Sequence, residues 1–321
     1  MNHVSTPDSP TSTHHDATAH LDIPFASPGG HELKADLWIP VTHEPPPIIL
    51  FLHGGGWKFG DRKLAPDLER YYARQGFAMA SIDYRLSGDA LFPAAVQDVK
   101  TAIRWLKSVA NEYGFDGERL GLWGSSAGAH LATLAVMAGP ERFRGEHERY
   151  TECSEKVKAV VAGYGPTDFL RQDEFRDPAG KPSDDPESIQ MPPGKRSVDA
   201  DSMESSFVGA PIEQVPERVA AANPINYVRD GLPPMLLLHG LSDTAVPWQQ
   251  SQLLFEALAK SSNPATLGLI DGLGHGFFNR NELDDKGPFR IHVLDSAQPD
   301  EPNISSHAIF SFVERFFEKN L

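Results

Sequence analysis

The sequence predicts an α/β fold with a mostly parallel sheet flanked by helices, and two observations support it. Continuous apolar runs, typical of strands buried on both faces, occur at residues 48–52 and 157–164. They alternate with segments of helical periodicity, of which residues 92–113 are a clear example. Because strands that alternate with helices normally join by right-handed crossovers, a parallel sheet is expected. The 321 residues, 40% of them hydrophobic, suffice for one large domain.

The chain begins with a segment that has almost nothing to bury. Residues 1–19 are mostly Ser, Thr, Pro, Asp and His, so we expect a disordered tail there and one domain over residues 20–321. Within that domain, residues 21–25 and 32–39 alternate between apolar and polar side chains. This alternation predicts an antiparallel pair of strands.

The rest of the chain continues the alternation of strands and helices, with two exceptions. Further strands are expected at residues 77–84, 233–239 and 265–271, and further helices at residues 64–76, 129–137, 249–260 and 306–319. The first exception, residues 169–218, is rich in acidic residues, Pro, Ser and Gly, and we expect an acidic cap or lid-like insert there. The second, residues 278–304, is expected to form an extended loop.

Composition excludes several classes of partner and site. The formal net charge of −15 argues against nucleic acid or an anionic membrane as partner. The single cysteine, Cys153, excludes an intramolecular disulfide and a multi-cysteine metal site. No apolar run approaches the roughly 20 residues of a membrane span, and no secretory signal is evident, so we expect a cytoplasmic protein. We expect no metal and no other cofactor, and the oligomeric state is left open, with a homodimer as one option.

The most informative motif is Gly124-Ser-Ser-Ala-Gly128, which lies between an apolar run and a helix-forming run. Strand, sharp turn and helix in this order put the middle residue in a strained conformation, with its side chain clear of the sheet edge. The glycines are expected because a Cβ at either position would collide with the neighbouring strand or helix. Ser126 is therefore a candidate nucleophile. The amide of Ala127 lies at a helix N-terminus, where a developing anion is stabilised.

A second motif, His53-Gly-Gly-Gly-Trp57, directly follows the predicted strand at residues 48–52. Three consecutive glycines leave the backbone amides unshielded and able to turn towards a ligand. The functional interpretation is an oxyanion hole, and the alternative is a merely flexible loop. We favour the first, because a flexible loop gains nothing from glycines placed directly after a buried strand.

A serine nucleophile needs a base within hydrogen-bond reach, and thirteen histidines are available. His275 has the best context, a Gly-Leu-Gly-His-Gly loop after a predicted strand. His53 is better placed to anchor the glycine loop, and His239 is interpreted as structural. Asp243 suits the carboxylate that holds the base in one tautomer. Ser126, Asp243, His275 and His53 each follow a predicted strand end, so all four are expected at one edge of the sheet.

Five motifs that occur in order resemble a known family. They are His53-Gly-Gly-Gly-Trp57, Asp83-Tyr-Arg85, Gly124-Ser-Ser-Ala-Gly128, His239-Gly-Leu-Ser-Asp243 and Gly274-His-Gly-Phe277. Together they resemble the α/β-hydrolase serine esterases, and especially the branch of bacterial feruloyl and acetyl-xylan esterases near the hormone-sensitive-lipase-like carboxylesterases. The resemblance covers about residues 21–321 and implies an α/β-hydrolase fold with an eight-stranded type of sheet.

The resemblance also assigns the catalytic roles. It implies that Ser126 is the nucleophile, that His275 is the general base and acid, and that Asp243 orients His275. Their sequence order, Ser, Asp, His, is that of the α/β-hydrolases.

For the oxyanion hole, the resemblance implies the amides of Gly55, Gly56 and Ala127. The pair of glycines that points inward is left open, and the amide of Trp57 is an alternative donor. Trp57 and Ser125 are expected to bind the substrate.

The function implied is that of a serine carboxylesterase, which hydrolyses short-chain acyl or aryl esters of small molecules through an acyl-enzyme. Short chains are expected because no broad apolar lid helix is evident. Two alternatives stay open within the fold: a carbohydrate-directed acetyl or feruloyl esterase, and an arylformamidase-type amide hydrolase. A non-enzymatic binding module would predict a damaged triad, whereas all three members are present.

Overall fold

The computed structural model describes residues 14–144, 150–176, 196–280 and 282–321. Within these ranges ten strands form one sheet, flanked by helices, so the predicted α/β fold with a mostly parallel sheet is confirmed. The strands are β1 Ala17–Ala26, β2 Leu33–Pro40, β3 Pro47–Leu52, β4 Ala78–Ile82, β5 Asp116–Ser125, β6 Ala159–Gly163, β7 Met235–Gly240, β8 Ala265–Ile270, β9 Phe289–Asp295 and β10 Gln298–His307. The helices are α1 Leu68–Tyr71, α2 Ala94–Tyr113, α3 Ala127–Met137, α4 Met203–Val208, α5 Pro216–Ala222, α6 Gln249–Lys260 and α7 Ile309–Asn320.

The sheet has a parallel centre and antiparallel margins. Its strand order is β1-β2-β4-β3-β5-β6-β7-β8-β9-β10. All pairs from β4 to β8 in this order are parallel, whereas β1, β2, β9 and β10 join by antiparallel pairing. The carboxyl ends of β3, β5, β7 and β8 therefore lie along the same edge, where a ligand site is expected in such sheets.

The central strands are buried on both faces because helices cover both sides of the sheet. In β3, Ile48, Leu50 and Leu52 belong to one core, which also takes side chains from α2, α3 and α6. Ile49 and Phe51 belong to the other core, which is closed by α1 and α7. Successive side chains of a strand point to opposite faces, so a continuous apolar run supplies both cores. This explains why the central strands are recognisable in the sequence.

The two ends of the sheet differ from the sequence predictions. Strand β1 begins at Ala17, so residues 17–19 are paired in the sheet and do not belong to a disordered tail. Residues 1–13 lie outside the described residues. The prediction of an extended loop at residues 278–304 is wrong, since this segment contains β9 and most of β10, which bring the sheet to ten strands.

Both marginal strands pair irregularly with their neighbours. The register of β1 against β2 shifts between His20 and Ile23 and again between Pro24 and Ala26. The register of β10 against β9 shifts between Gln298 and Asn303. The margins of the sheet are thus interrupted, whereas the central parallel pairs from β5 to β8 keep one register throughout.

The predicted insert at residues 169–218 is folded where the structure describes it, and residues 177–195 lie outside the described residues. The described part contains α4, the start of α5 and a short 3₁₀ turn at Gln172–Glu174. Phe169, Phe207 and Ile212 of this segment are buried in the core shared with α2 and α3. A lid function for the insert stays a prediction. Among the helices of the described ranges, none combines the length and the hydropathy needed to cross a bilayer.

Candidate active site

Ser126 lies at the sharp turn between β5 and α3. Its backbone has φ 51° and ψ −117°, a conformation that residues with a side chain rarely adopt. The turn is tight enough that a Cβ on Gly124 would collide with the carbonyl of Gly128, and a Cβ on Gly128 would collide with the carbonyl of Leu52. The glycines therefore permit the close approach of strand and helix that presents the serine hydroxyl.

Three side chains from distant parts of the chain meet at this turn. The hydroxyl Oγ of Ser126 lies 2.8 Å from Nε2 of His275, and Nδ1 of His275 lies 2.7 Å from Oδ2 of Asp243. Because a carboxylate only accepts, Nδ1 of His275 carries the proton, and the unprotonated Nε2 accepts from the serine hydroxyl. The structure thus brings together the three residues that the sequence singled out, in an order suited to nucleophile, base and orienting acid.

Asp243 is buried and accepts four hydrogen bonds. Its Oδ1 accepts from the backbone amides of Ala245 and Val246, both at 2.9 Å. Its Oδ2 accepts from His275 and, at 3.1 Å, from Nε2 of His239. Burial alone would raise the pKa of Asp243, but the facing His275 and His239 lower that pKa well below its ordinary range. The carboxylate is therefore held ionised and fixed in position.

His239 supports Asp243 from the strand β7. Its Nε2–H is shared between Oδ2 of Asp243 and the carbonyl of Val246 at 2.9 Å, and its Nδ1 accepts from the hydroxyl of Ser251 at 2.7 Å. The ring is fully buried. These contacts agree with the structural role predicted for His239 and place its ring against Oδ2 of Asp243.

The glycine loop after β3 faces the nucleophile. Gly55, Gly56 and Trp57 all have positive φ, at 103°, 60° and 57°. His53 anchors the loop as predicted, since its Nδ1 donates to the carbonyl of Gly54 at 2.7 Å and its ring stacks on Tyr84 at 4.2 Å. Burial lowers the pKa of His53 to about 4, so the ring is neutral and serves the loop rather than proton transfer.

Trp57 connects the glycine loop to the nucleophile helix and to the insert. Its indole Nε1 donates to Nδ1 of His130 in α3 at 3.2 Å, and its ring stacks on Phe207 of α4 at 4.6 Å. His130 in turn donates from Nε2 to the carbonyl of Ala222 at 2.7 Å. Burial lowers the pKa of His130 to about 4. The loop, the helix and the insert are thus joined by side chains around one neutral imidazole.

A cavity of about 50 Å³ opens at Ser126. Its walls come from the glycine loop, the nucleophile turn, α4 and the loop after β7. The lining residues are Gly55, Gly56, Trp57, Ser126, Ala127, Pro166, Met203, Glu204, Ala245, Val246 and His275. The residues predicted for the oxyanion hole and for the triad therefore border the cavity, except Asp243, which lies behind His275.

The two predicted substrate-binding residues differ in position. Trp57 lines the cavity, although its ring is almost entirely buried by its aromatic neighbours. Ser125 is fully buried at the end of β5 and is not among the described residues that line the cavity. Ser125 is the last residue of β5, whereas Ser126 lies at the turn that follows, where it borders the cavity.

Five residues of the cavity lining were not predicted from the sequence, namely Pro166, Met203, Glu204, Ala245 and Val246. Met203 lies so close to the glycine loop that a Cβ on Gly56 would come within 2.9 Å of its Cγ and Sδ. Glu204, the next residue of α4, also lines the cavity. Neither carries a local signal, because α4 is short and lies in the acidic insert. Among the described residues, no group of three His, Cys, Asp or Glu side chains is arranged to hold a metal ion.

Comparison with known sequences places most of the domain in one family. The family model named BD-FAE matches residues 35–258. The matched range includes the glycine loop, Ser126 and Asp243, and it ends before His275.

Individual proteins agree with this match. The esterase LipC of Mycobacterium tuberculosis strain H37Rv is 32% identical over 239 residues, which cover 73% of this chain and 54% of LipC. The chain spans about half the length of the curated relatives it matches. Among solved structures, a truncated carbohydrate esterase from gut microbiota has a TM-score of 0.69 at 26% identity, covering 83% of this chain and 91% of that chain. The butyrate-bound esterase Est2 of Thermogutta terrifontis has a TM-score of 0.61 at 25% identity, and the match covers 84% of this chain and 87% of the Est2 chain.

Proposed function

The chain belongs to the BD-FAE family, and on this premise we propose that it is a serine carboxylesterase acting on short-chain acyl or aryl esters. The observation that carries the proposal is the hydrogen-bond chain from Ser126 Oγ to His275 Nε2 at 2.8 Å and from His275 Nδ1 to Asp243 Oδ2 at 2.7 Å. LipC and Est2, to which the chain is similar, are both called esterases. Their names support the same class of reaction.

The proposed reaction begins with attack of Ser126 Oγ on the ester carbonyl carbon. His275 Nε2 takes the hydroxyl proton as the bond forms, and the ionised Asp243 stabilises the resulting imidazolium. The bond to the leaving alcohol then breaks as His275 returns the proton to its oxygen, which leaves an acyl group on Ser126. Water attacks the acyl carbon while His275 takes a proton from it. The bond between the acyl group and Oγ then breaks as His275 gives this proton to Oγ, which releases the carboxylic acid and restores the hydroxyl of Ser126.

The proposed oxyanion donors are the amides of Gly55, Gly56 and Ala127. In support, all three residues line the cavity together with Ser126. Ala127 is the first residue of α3, where the unpaired amides of the first helical turn favour a negative charge. Removing one such donor typically costs on the order of 100- to 1000-fold in turnover.

A short acyl chain is favoured by the size of the cavity. About 50 Å³ suits a group of a few heavy atoms, and Met203 lies over Gly56 at one wall. A carbohydrate ester is the second candidate substrate, because one of the similar structures is called a carbohydrate esterase.

The proposed function is tested by Ser126→Ala against a neighbouring control, Ser125→Ala. We expect Ser126→Ala to abolish hydrolysis of p-nitrophenyl acetate and labelling by a fluorophosphonate probe, with little change in melting temperature. Ser125→Ala changes a buried hydroxyl that does not line the cavity, so it should keep both activities. Equal activity of the wild type and Ser126→Ala would contradict the proposal. A series of p-nitrophenyl esters from C2 to C12 checks the expected preference for short chains.

A further inference from the structure

Glu204 is a buried carboxylate at the wall of the same cavity as Ser126 and His275. Only 3% of its surface is exposed. Its Oε1 accepts a hydrogen bond from Nε2 of Gln172 at 2.7 Å. Its other oxygen, Oε2, has no hydrogen-bond partner within the part of the chain that the structure describes. One acceptor of this carboxylate is therefore unused.

Among the described residues, Oε2 of Glu204 is the one fully buried carboxylate oxygen without a hydrogen-bond partner. By contrast, both oxygens of Asp243 accept hydrogen bonds, and both oxygens of Asp98 accept them from Arg85. Leaving a charged buried acceptor unpaired is costly, and such groups normally find a donor or serve a function. Since Glu204 also lines the cavity at Ser126, a bound substrate is one source of the donor that the described residues do not supply.

The composition of the cavity indicates which kind of donor fits. Among the described residues that line the cavity, the polar side chains besides Glu204 are those of Ser126 and His275, which are hydrogen-bonded to one another. The other lining side chains are apolar, or absent in the glycines. A hydroxyl group has one hydrogen-bond donor, and the free oxygen of Glu204 can accept it. An ammonium group has three donors, so two of them would find no side-chain acceptor in this lining.

We propose that Glu204 determines specificity by accepting, at Oε2, a hydrogen bond from a hydroxyl group of the ester substrate. This proposal rests on the proposed esterase function and narrows it to hydroxyl-bearing esters. The hydroxyl must lie within a few bonds of the scissile carbonyl, because Glu204 and Ser126 border one cavity of about 50 Å³.

A purely structural role is the competing explanation. Gln172 bridges Glu204 to Ser197, with Nε2 at 2.7 Å from Oε1 of Glu204 and 2.7 Å from Oγ of Ser197. Loss of this bridge would disturb α4 and slow hydrolysis of every ester alike. A role in recognition would instead slow only the esters that carry the hydroxyl. The ratio of two rates therefore separates the explanations.

The test compares kcat/KM for esters that differ by a hydroxyl in place of a methyl group. Methyl glycolate against methyl propionate probes the acyl side, and 2-hydroxyethyl acetate against propyl acetate probes the alcohol side. Each ratio is measured in the wild type, in Glu204→Leu and in the control Glu213→Leu, which removes an exposed carboxylate of the same segment. When the wild-type ratio is divided by the ratio in Glu204→Leu, the difference in intrinsic reactivity between the two esters cancels.

We expect the hydroxyl preference in at least one pair to fall about 10- to 100-fold in Glu204→Leu, the range for a hydrogen bond to a charged group. Glu213→Leu should keep the wild-type hydroxyl preference. Glu204→Gln, which retains a polar group, should show a preference between those of the wild type and Glu204→Leu. Equal ratios in the wild type and Glu204→Leu, with Ser126-dependent hydrolysis intact, would overturn this proposal alone. Absence of Ser126-dependent hydrolysis of any ester would overturn the proposed function and this inference with it.

A further comparison distinguishes a hydroxyl from a cation. Acetylcholine carries a positive charge without an N–H or O–H donor, and 3,3-dimethylbutyl acetate is its neutral counterpart. We expect the ratio for this pair to be the same in the wild type and Glu204→Leu. A preference for acetylcholine that disappears in Glu204→Leu would assign the carboxylate to a cationic substrate and overturn the proposal.

Discussion

Trp57 donates a hydrogen bond from its indole nitrogen to Nδ1 of His130, 73 residues further along the chain. An indole nitrogen can only donate, so Nδ1 of His130 must be unprotonated and the proton must reside on Nε2, which donates to Ala222. The imidazole is therefore fixed as one neutral tautomer. Through it, the position of the glycine loop depends on the nucleophile helix.

Replacing Trp57 by Phe should destabilise the protein and slow ester hydrolysis. The variant leaves the buried Nδ1 of His130 without its donor, which costs about 1–3 kcal/mol in the free energy of unfolding. Trp123→Phe is a matched control, since Trp123 is fully buried and its Nε1 has no hydrogen-bond partner among the described residues. Urea unfolding should show the larger loss for Trp57→Phe. An equal loss in both variants would mean that only ring volume matters.

Acid should destabilise the fold through its buried histidines. The pKa values of His53 and His130 are about 4 in the folded protein, against 6.5 for an unperturbed histidine. Between pH 4 and 6.5 the unfolded state therefore binds more protons, and stability falls as the pH falls, by up to about 1.4 kcal/mol per pH unit for each histidine. Glu314, whose pKa burial and Glu318 raise to about 7, acts in the opposite direction between pH 4.5 and 7.

Comparing the pH dependence of stability in the wild type and in His130→Gln separates the contribution of His130 from these opposing effects. His130→Gln removes one titrating ring and keeps Glu314 and His53 unchanged. We expect the free energy of unfolding of this variant to depend less steeply on pH between 4 and 6.5 than that of the wild type. Parallel pH curves for the two proteins would show that His130 is protonated equally in the folded and unfolded states.

The strained turn at Ser126 predicts that two inactive variants differ in stability. Ser126→Ala keeps a side chain at φ 51° and ψ −117°, whereas glycine adopts positive φ without this cost. We expect Ser126→Gly to be more stable than Ser126→Ala by about 1 kcal/mol, after subtraction of the greater chain entropy of glycine in the unfolded state. Thermal or urea unfolding of the two variants measures the difference. A less stable glycine variant would argue against strain at this position.

Asp243→Asn should remove most of the proposed activity without unfolding the protein. Asparagine can present its amide to Nδ1 of His275 and so favour the wrong tautomer, a change that costs on the order of 10⁴-fold in turnover in a serine triad. His239→Leu removes one of the four donors of Asp243 and should cost less. The values of kcat for p-nitrophenyl acetate rank the two variants. A greater loss from His239→Leu would place the principal support elsewhere.

The sequence indicated the centre of the fold and the residues around Ser126 because both depend on local patterns. Strands buried on two faces are apolar throughout, and the glycines of the nucleophile turn are required by backbone approach, so both are visible without tertiary information. Strand β10 gave no such signal, since its side chains are largely exposed and backbone hydrogen bonds to β9 hold it. The cytoplasmic location and the homodimer stay predictions.

The cavity wall was harder to predict than the triad. Met203 and Glu204 reach the cavity only because the insert packs Phe207 against Trp57, a contact between segments far apart in sequence. Ser125 was predicted to bind the substrate, but it is fully buried at the end of β5, whereas Ser126 lies at the turn and lines the cavity.

The irregular margins of the sheet affect whether two copies of this protein can associate by pairing their edge strands. An incoming strand needs an uninterrupted row of backbone donors and acceptors at constant register. On one side the register slips around Pro24, and on the other it slips across a segment with Pro299 and Pro302, which lack an N–H. A second molecule that continued the sheet along either border would therefore meet an interrupted row of backbone donors and acceptors.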